Sequence, residues 1–244
     1  MRIAIVSDIH GNRTAFEAVL ADLRQTSPDL IFHGGDLADS GASPVAIVDQ
    51  IRDLGWQGVV GNTDELLFNP QSLTDFARQS PGMQSLVPTI EEMAAATREA
   101  LGDERIAWLA GLPRQQIHGP MALVHASPAS PWRGPQHTAS DAELESVFLP
   151  LGRPIAVYGH IHRPYIRKLA HMTVVNTGSV SLSYDGDRRA SYLLLDDDPL
   201  LNDQPSIRRV EYDIDRELKI LSTSGFPHAD WIARILAGAS PQMP

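Results

Sequence analysis

The first 64 residues alternate short apolar runs with amphipathic stretches, and that alternation leaves few folds open. Residues 3–6 (IAIV), 30–32 (LIF) and 58–60 (GVV) are brief runs rich in β-branched side chains. Between them Phe16, Val19, Leu20 and Leu23, and then Ile47, Val48, Ile51 and Leu54, recur at helical spacing. A βαβαβ order predicts a parallel sheet with helices on its faces. Right-handed crossovers then place the C-terminal ends of all three strands along one edge, which is where open α/β sheets bind ligands.

After residue 64 the pattern changes. Pro70, Pro81 and Pro88 punctuate a stretch in which residues 91–101 and 104–109 have helical spacing. Residues 65–116 are expected to form a mostly helical, cap-like insertion beside the strand edge, within a single domain spanning residues 1–244. Further strands are predicted at 121–124, 155–158 and 173–176, and helices at 141–149 and 229–236. Residues 190–195 and 207–212 are expected to be later antiparallel strands separated by an acidic turn at 196–198.

The strands end in a consistent way. Asp8 and His10 follow the first, Asp36 the second, Asn62 the third, His125 the fourth, and His160 with His162 close the run IAVYGHIH. Singly, each has a bland reading: Asp and Asn favour turns and helix caps, and a lone histidine is commonly a hydrogen-bonded structural residue. Independent turns give no reason for four His, two Asp and one Asn to gather at five strand ends. The chain has no cysteine, so disulfides and thiol nucleophiles are excluded and a metal site must be built from His, Asp, Glu and Asn.

Seven ligands are too many for one tetrahedral ion but suffice for two ions sharing a carboxylate. Asp36, at the middle of the βαβαβ series, is the natural bridge, and Asn62 adds a neutral amide oxygen that limits the negative charge; these two are the candidate catalytic residues. Two ions about 3.5–4 Å apart can hold and deprotonate a shared water and clamp a phosphoryl group. The mixed His and carboxylate set suits transition metals, with manganese preferred and Fe, Zn, Co and Ni as alternatives to it, over calcium.

At this point the motifs SDIHGN, GGD, GNTD, LVHASP and GHIH, in that order, resemble those of the calcineurin-like metallophosphoesterase superfamily. The later stretch NTGSVSLSYDGDRRASYLLLD, followed by VEYDID, resembles a prokaryotic phosphodiesterase-type branch of it. The resemblance implies a four-layer α/β/β/α sandwich, a dinuclear centre, and hydrolysis of a small phosphoester or nucleotide by a metal-bridging hydroxide. It assigns Asp8, His10, Asp36 and His162 to one metal, and Asp36, Asn62, His125 and His160 to the other.

One position departs from the pattern. Phosphomonoesterases of the superfamily usually carry a histidine after the asparagine, and here that residue is Thr63. Its hydroxyl can donate to a phosphate but cannot act as an acid near neutral pH, which favours a phosphodiester or a dinucleoside polyphosphate. The alternatives are a phosphomonoesterase or protein phosphatase, or a metal-bound scaffold without catalysis.

Other residues carry paired readings. Asn12 and Arg13 either contact substrate phosphate or shape the turn and the helix surface. Asp64 either orients a metal-bound imidazole or caps a helix. His33 is expected to be a buried, hydrogen-bonded core residue, His137 either reaches a substrate or, the default, is an exposed loop residue, and Arg188 and Arg189 are parts of a solvated turn. The four tryptophans are read as packing. The net charge of −10, with 18 Arg and 2 Lys, disfavours duplex nucleic acid and anionic membranes. The sequence shows neither a secretory h-region nor a membrane-length apolar stretch, so a cytoplasmic protein is expected; a homo-oligomer remains open.

Overall fold

The protein is described by a computed structural model covering residues 1–196 and 205–244. The βαβαβ start is present as β1 (Arg2–Val6), α1 (Arg13–Thr26), β2 (Leu30–His33), α2 (Pro44–Asp53) and β3 (Gln57–Gly58). Asn12 starts α1 by accepting the Ala15 N–H at 2.9 Å, and Pro44 opens α2, where its missing N–H costs nothing. The third strand is shorter than its apolar run. Val59 N–H still bonds the His33 carbonyl, but Val60 N–H turns away to the Pro113 carbonyl, so the chain leaves the ladder one step before the site.

The helical segment follows as α3 (Asn62–Phe68), α4 (Gln71–Arg78), a 3₁₀ turn (Pro81–Leu86) and α5 (Val87–Ala110). Helix α5 breaks its dihedrals at Gly102, with φ of 69°, matching the gap between the two expected helices. The second half of the chain adds β4 (Gln115–His118), β5 (Met121–Val124), α6 (Asp141–Phe148), β6 (Ile155–Tyr158), β7 (Tyr165–Lys168), β8 (Thr173–Asn176), β9 (Ala190–Asp196), β10 (Ser206–Val210), α7 (Ile214–Ser224) and α8 (Ala229–Gly238). Strands β4 and β7 and helix α7 go beyond the sequence expectation. The acidic turn expected at 196–198 lies, past Asp196, outside the described residues.

Two mixed sheets result, ordered β10-β9-β1-β2-β3 and β4-β5-β6-β8-β7. Strand β1 runs parallel to β2 and antiparallel to β9, and β6 runs parallel to both β5 and β8. Alternation of side chains across each strand sets the layers. Ile3, Ile5 and Leu193 of one sheet meet Leu123, Val157 and Val175 of the other in a shared core. Ala4 and Val6 face α1, α2 and α5 on the outside, while Ala156, Tyr158 and Val174 face Leu144 and Phe148 of α6. The order of layers is therefore helix, sheet, sheet, helix, and the C-terminal ends of the parallel strands of both sheets meet at one edge.

Candidate metal centre

Each strand end delivers its side chains through a tight, often left-handed turn. Asp8, His10, Asp36, His160 and His162 all have positive φ, between 49° and 66°. Such conformations cost about 1–3 kcal/mol each for non-glycine residues and persist only where surrounding structure over-determines them. Here the loops brace one another. Asp8 N–H donates to the Gly35 carbonyl at 3.0 Å, and the N–H groups of Ile9 and His10 both donate to the Asp36 carbonyl at 2.9 and 3.0 Å. The two sheets are joined at the same place, since His160 N–H donates to Asp8 Oδ1 at 3.1 Å. Gly159 makes that approach possible: a Cβ there would lie 2.3 Å from Asp8 Oδ2 and from Ser7 Oγ.

The seven side chains fall into two groups that meet at one oxygen. In the first, Asp8 Oδ1 is 3.2 Å from His162 Nε2, which is 3.2 Å from His10 Nε2. In the second, Asn62 Oδ1 lies 3.0 Å from His125 Nε2 and 2.9 Å from His160 Nδ1. Asp36 Oδ2 stands between them, 3.7 Å from His10 Nε2 and 3.5 Å from His125 Nε2. Its other oxygen accepts the Thr63 N–H at 2.9 Å, which fixes the plane of the carboxylate. The donor atoms of Asp8, His10 and His162, and those of Asp8, Asp36 and His125, each lie within 4.8 Å of one another.

Three of the imidazoles are oriented from behind. His10, His125 and His162 place Nδ1 against the carbonyls of Asp39, Gly34 and Leu182 at 2.9, 2.8 and 2.7 Å. A carbonyl only accepts, so each Nδ1 carries the proton and each Nε2 is left to present a lone pair to the centre once the ring is neutral. The donor set fits two borderline divalent ions: nitrogens and oxygens only, pre-oriented, with one carboxylate reaching both groups.

Without an ion the charges compensate among themselves. Burial disfavours ionised Asp36 and Asp8, yet the nearby His125 and His162 outweigh it and hold both carboxyls below their ordinary range. Burial likewise opposes a charged His125, but the Asp36 carboxylate pushes its pKa up to about 10. The Asp8 carboxylate raises His162 in the same way. His160 is taken down to about 4 by burial and then by the charge on His125, and burial lowers His10. Two buried carboxylates thus sit beside two imidazolium rings, the place two cations would take.

Asp64 neither touches an imidazole nor serves merely as a cap. Its carboxylate accepts the N–H groups of Asp36, Leu37 and Gly61 at 2.8, 2.9 and 3.0 Å, strapping the second strand-end loop to the third. Burial, followed by the charge of Asp36, raises its pKa to about 7. Asp39, invisible from the sequence, supplies the carbonyl behind His10 and a buried carboxyl that accepts the Thr97 hydroxyl at 2.6 Å.

A cavity of about 490 Å³ opens over the centre, and Asp36, Asn62, His10, His160 and His162 form its floor. Thr63 lines it, with a buried Oγ1 that has no hydrogen-bond partner among the described residues. Asn12 and Arg13 do not. Asn12 is consumed in capping α1 and in donating to Ser181 Oγ at 3.1 Å, and the exposed Arg13 pairs with Glu17 at 2.6 Å. His137 is exposed and Arg189 pairs with Asp187 at 2.6 Å, both as expected. Two expectations need correction. His33 is buried, but its ring nitrogens have no partner among the described residues; it lies 6.2 Å from the Trp108 ring, and burial takes its pKa to about 3. Trp132 and Trp231 are not packing residues alone, since both line the cavity.

Residues 1–198 match the model of the calcineurin-like phosphoesterase superfamily domain. An uncharacterised protein of Methanocaldococcus jannaschii is 30% identical over 255 residues, covering 96% of each chain. The phosphodiesterase YfcE of Escherichia coli K12 is 25% identical over 224 residues, covering 86% of this chain and 97% of its own. Among solved structures, a metallophosphoesterase from Sphaerobacter thermophilus superposes with a TM-score of 0.76 at 26% identity, covering 98% of this chain and all of that one.

Proposed function

The chain belongs to the calcineurin-like phosphoesterase superfamily and is a metal-dependent phosphoester hydrolase, and we propose that it cleaves a phosphodiester or pyrophosphate-type linkage at a two-metal centre. One ion would be held by Asp8, His10, Asp36 and His162, and the other by Asp36, Asn62, His125 and His160. The observation that carries this reading is the position of Asp36 Oδ2, within 3.7 Å of Nε2 atoms from both groups. Two bound divalent ions supply Lewis-acid activation of the phosphorus and a nucleophile at neutral pH. Manganese is the first choice for both.

The chain's own residues do the positioning. The carbonyls of Asp39, Gly34 and Leu182 hold the protons of three rings on the outer nitrogen. Asp64 keeps the Asp36 and Asn62 loops in register. Thr63 offers an unpaired hydroxyl to a phosphate oxygen, and it cannot supply a proton to a poor leaving group. That absence favours esters whose departing oxygen tolerates negative charge. The similarity to the E. coli phosphodiesterase supports the same side of the choice.

The test compares turnover of bis(p-nitrophenyl) phosphate and p-nitrophenyl phosphate by the manganese-loaded protein. The diester should be preferred, and Thr63→His should shift the ratio of kcat/KM towards the monoester. A strong monoester preference in the unaltered protein would overturn the proposal.

A further inference from the structure

The cavity over the metal centre has an unusual balance for a site that must receive a phosphate. Its floor is polar, but its walls are apolar and come from separated parts of the chain. Phe76, Met83 and Ile90 come from the helical segment after α3, Trp132 from the loop before α6, and Trp231 and Ile235 from α8. No arginine or lysine lines it among the described residues. The ionisable side chains it adds beyond the strand-end residues are Asp39, an acid, and Tyr184, a phenol that burial keeps neutral.

That composition discriminates between the two linkages left open above. A dinucleoside polyphosphate brings several phosphates beyond the one being attacked, and proteins receive such charges on arginine forks and lysines. Here the extra phosphates would be desolvated against tryptophan, phenylalanine and methionine with no cation to meet them, which is costly. A phosphodiester monoanion has one charge, and the metal-ligand floor accounts for it. Its uncharged arm then enters the apolar part of the cavity, whose volume of about 490 Å³ is within the usual range for small-molecule pockets. Tyr184, stacked on the His162 ring at 4.7 Å between centroids, carries the apolar wall down to the metal ligands themselves, so arm and phosphate can be bound at once.

We infer that the substrate is a phosphodiester bearing an uncharged apolar arm about the size of an aromatic ring, and not a polyphosphate. The inference rests on the two-metal reading of the same site, and the helical segment and α8 are its specificity elements. Residues 199–244, which include α8, lie beyond the span matched by the family model, so Trp231 and Ile235 are contributed from outside that matched region, while Phe76, Met83, Ile90 and Trp132 come from within it.

The test separates binding from turnover by using phosphinates, which have no ester bond to cleave. Methyl(phenyl)phosphinate and dimethylphosphinate carry the same charge and tetrahedral phosphorus and differ in one arm. Binding to the manganese-loaded protein is followed by tryptophan fluorescence and by calorimetry. The phenyl compound should bind roughly tenfold tighter or more, the scale expected for burying one ring. Trp231→Ala and Met83→Ala should each bring that ratio down towards one, and inorganic tripolyphosphate should compete less well than the phenyl compound. Equal affinities for the two phosphinates, binding of neither, or preference for tripolyphosphate would overturn the inference. A phenyl preference in a protein that turns over no diester would instead uphold the cavity assignment and refute the hydrolytic reading.

Discussion

Loading the metal centre should expel protons, in a number set by the geometry. In the ion-free protein His125 and His162 are charged at pH 6, each held above the ordinary histidine value of 6.5 by Asp36 and Asp8 against the opposing effect of burial. His160, lowered to about 4 by burial and by the charge on His125, is already neutral, and burial lowers His10 as well. An imidazole must be neutral to coordinate, so two ions entering the site displace at least two protons. Asp39 and Asp64, raised to about 6 and about 7 mainly by burial, can add to that number as positive charge arrives. Two released protons make the product of the two association constants rise about 100-fold per pH unit near pH 6, or about 2.7 kcal/mol per unit. Titration of manganese into chelator-stripped protein, in buffers of different ionisation enthalpy, counts the protons directly. The ion-free fold should respond in the opposite sense. A raised histidine pKa contributes stability fully present below 6.5 that is lost as pH rises through the folded value, about 10 for His125. Stability in chelator should therefore fall from pH 6.5 upwards while metal affinity climbs. Release of less than one proton, with affinity flat between pH 5.5 and 6.5, would refute the assignment of imidazolium rings to the two cation positions.

Two further outcomes follow from the same geometry. Asp36→Asn or His160→Ala should abolish phosphoesterase activity and lower manganese content measured by atomic absorption. His228→Ala, which removes an exposed pair to Glu92 at 2.7 Å, should do neither and cost less than about 1 kcal/mol; equal losses from all three would sink the site assignment. Asp64→Asn sets an amide NH₂ against backbone donors now served by a carboxylate. It should weaken manganese binding about 10–100-fold and lower the urea midpoint, and unchanged metal affinity would show that the strap between the loops is dispensable.

Much of this architecture is written locally, and what is not has a physical reason. The βαβαβ start, the break in α5 at Gly102 and the strands before His125 and His160 follow from periodicity and glycine placement, which are properties of adjacent residues. Strands β4 and β7 are edge strands of the second sheet, and in both an isoleucine (Ile117, Ile166) is exposed while a polar neighbour (Gln116, Arg167) is half-buried, so the apolar alternation that marks a strand is scrambled. Helix α7 has its signals, an Asp213 cap and Leu218 and Leu221 at helical spacing. The seven strand-end residues are legible as candidates because metal ligation needs particular side chains. Their supports are not, because the carbonyls of Gly34, Asp39 and Leu182 belong to the backbone, and any residue could provide them. The cavity walls are equally silent, since Phe76, Trp132 and Trp231 look like core residues until the fold places them around one space.

Backbone strain coincides with five of the seven candidate ligands, although Ser27, Ser40, Leu182, His228 and Ala239 share the left-handed region without offering a metal donor to the centre. For Asp8 and Asp36 the sequence leaves open a plain turn, since aspartate tolerates the left-handed region better than most residues. A turn that needs only positive φ is served at no cost by glycine, and this chain uses glycine that way next door, at Gly11 and Gly35 with φ of 61° and 87°. At five of the seven strand-end residues it instead keeps a carboxylate or an imidazole with φ between 49° and 66°. At about 1–3 kcal/mol each, the total rivals the 5–15 kcal/mol net stability of a typical protein. Glycine there would relieve the strain and leave the bracing bonds between backbones, such as Asp8 N–H to Gly35 and His10 N–H to Asp36, chemically possible. What glycine would remove is the side chain. At these five positions the strain therefore accompanies a donor side chain, and Asp36, the carboxylate the two groups share, is one of them.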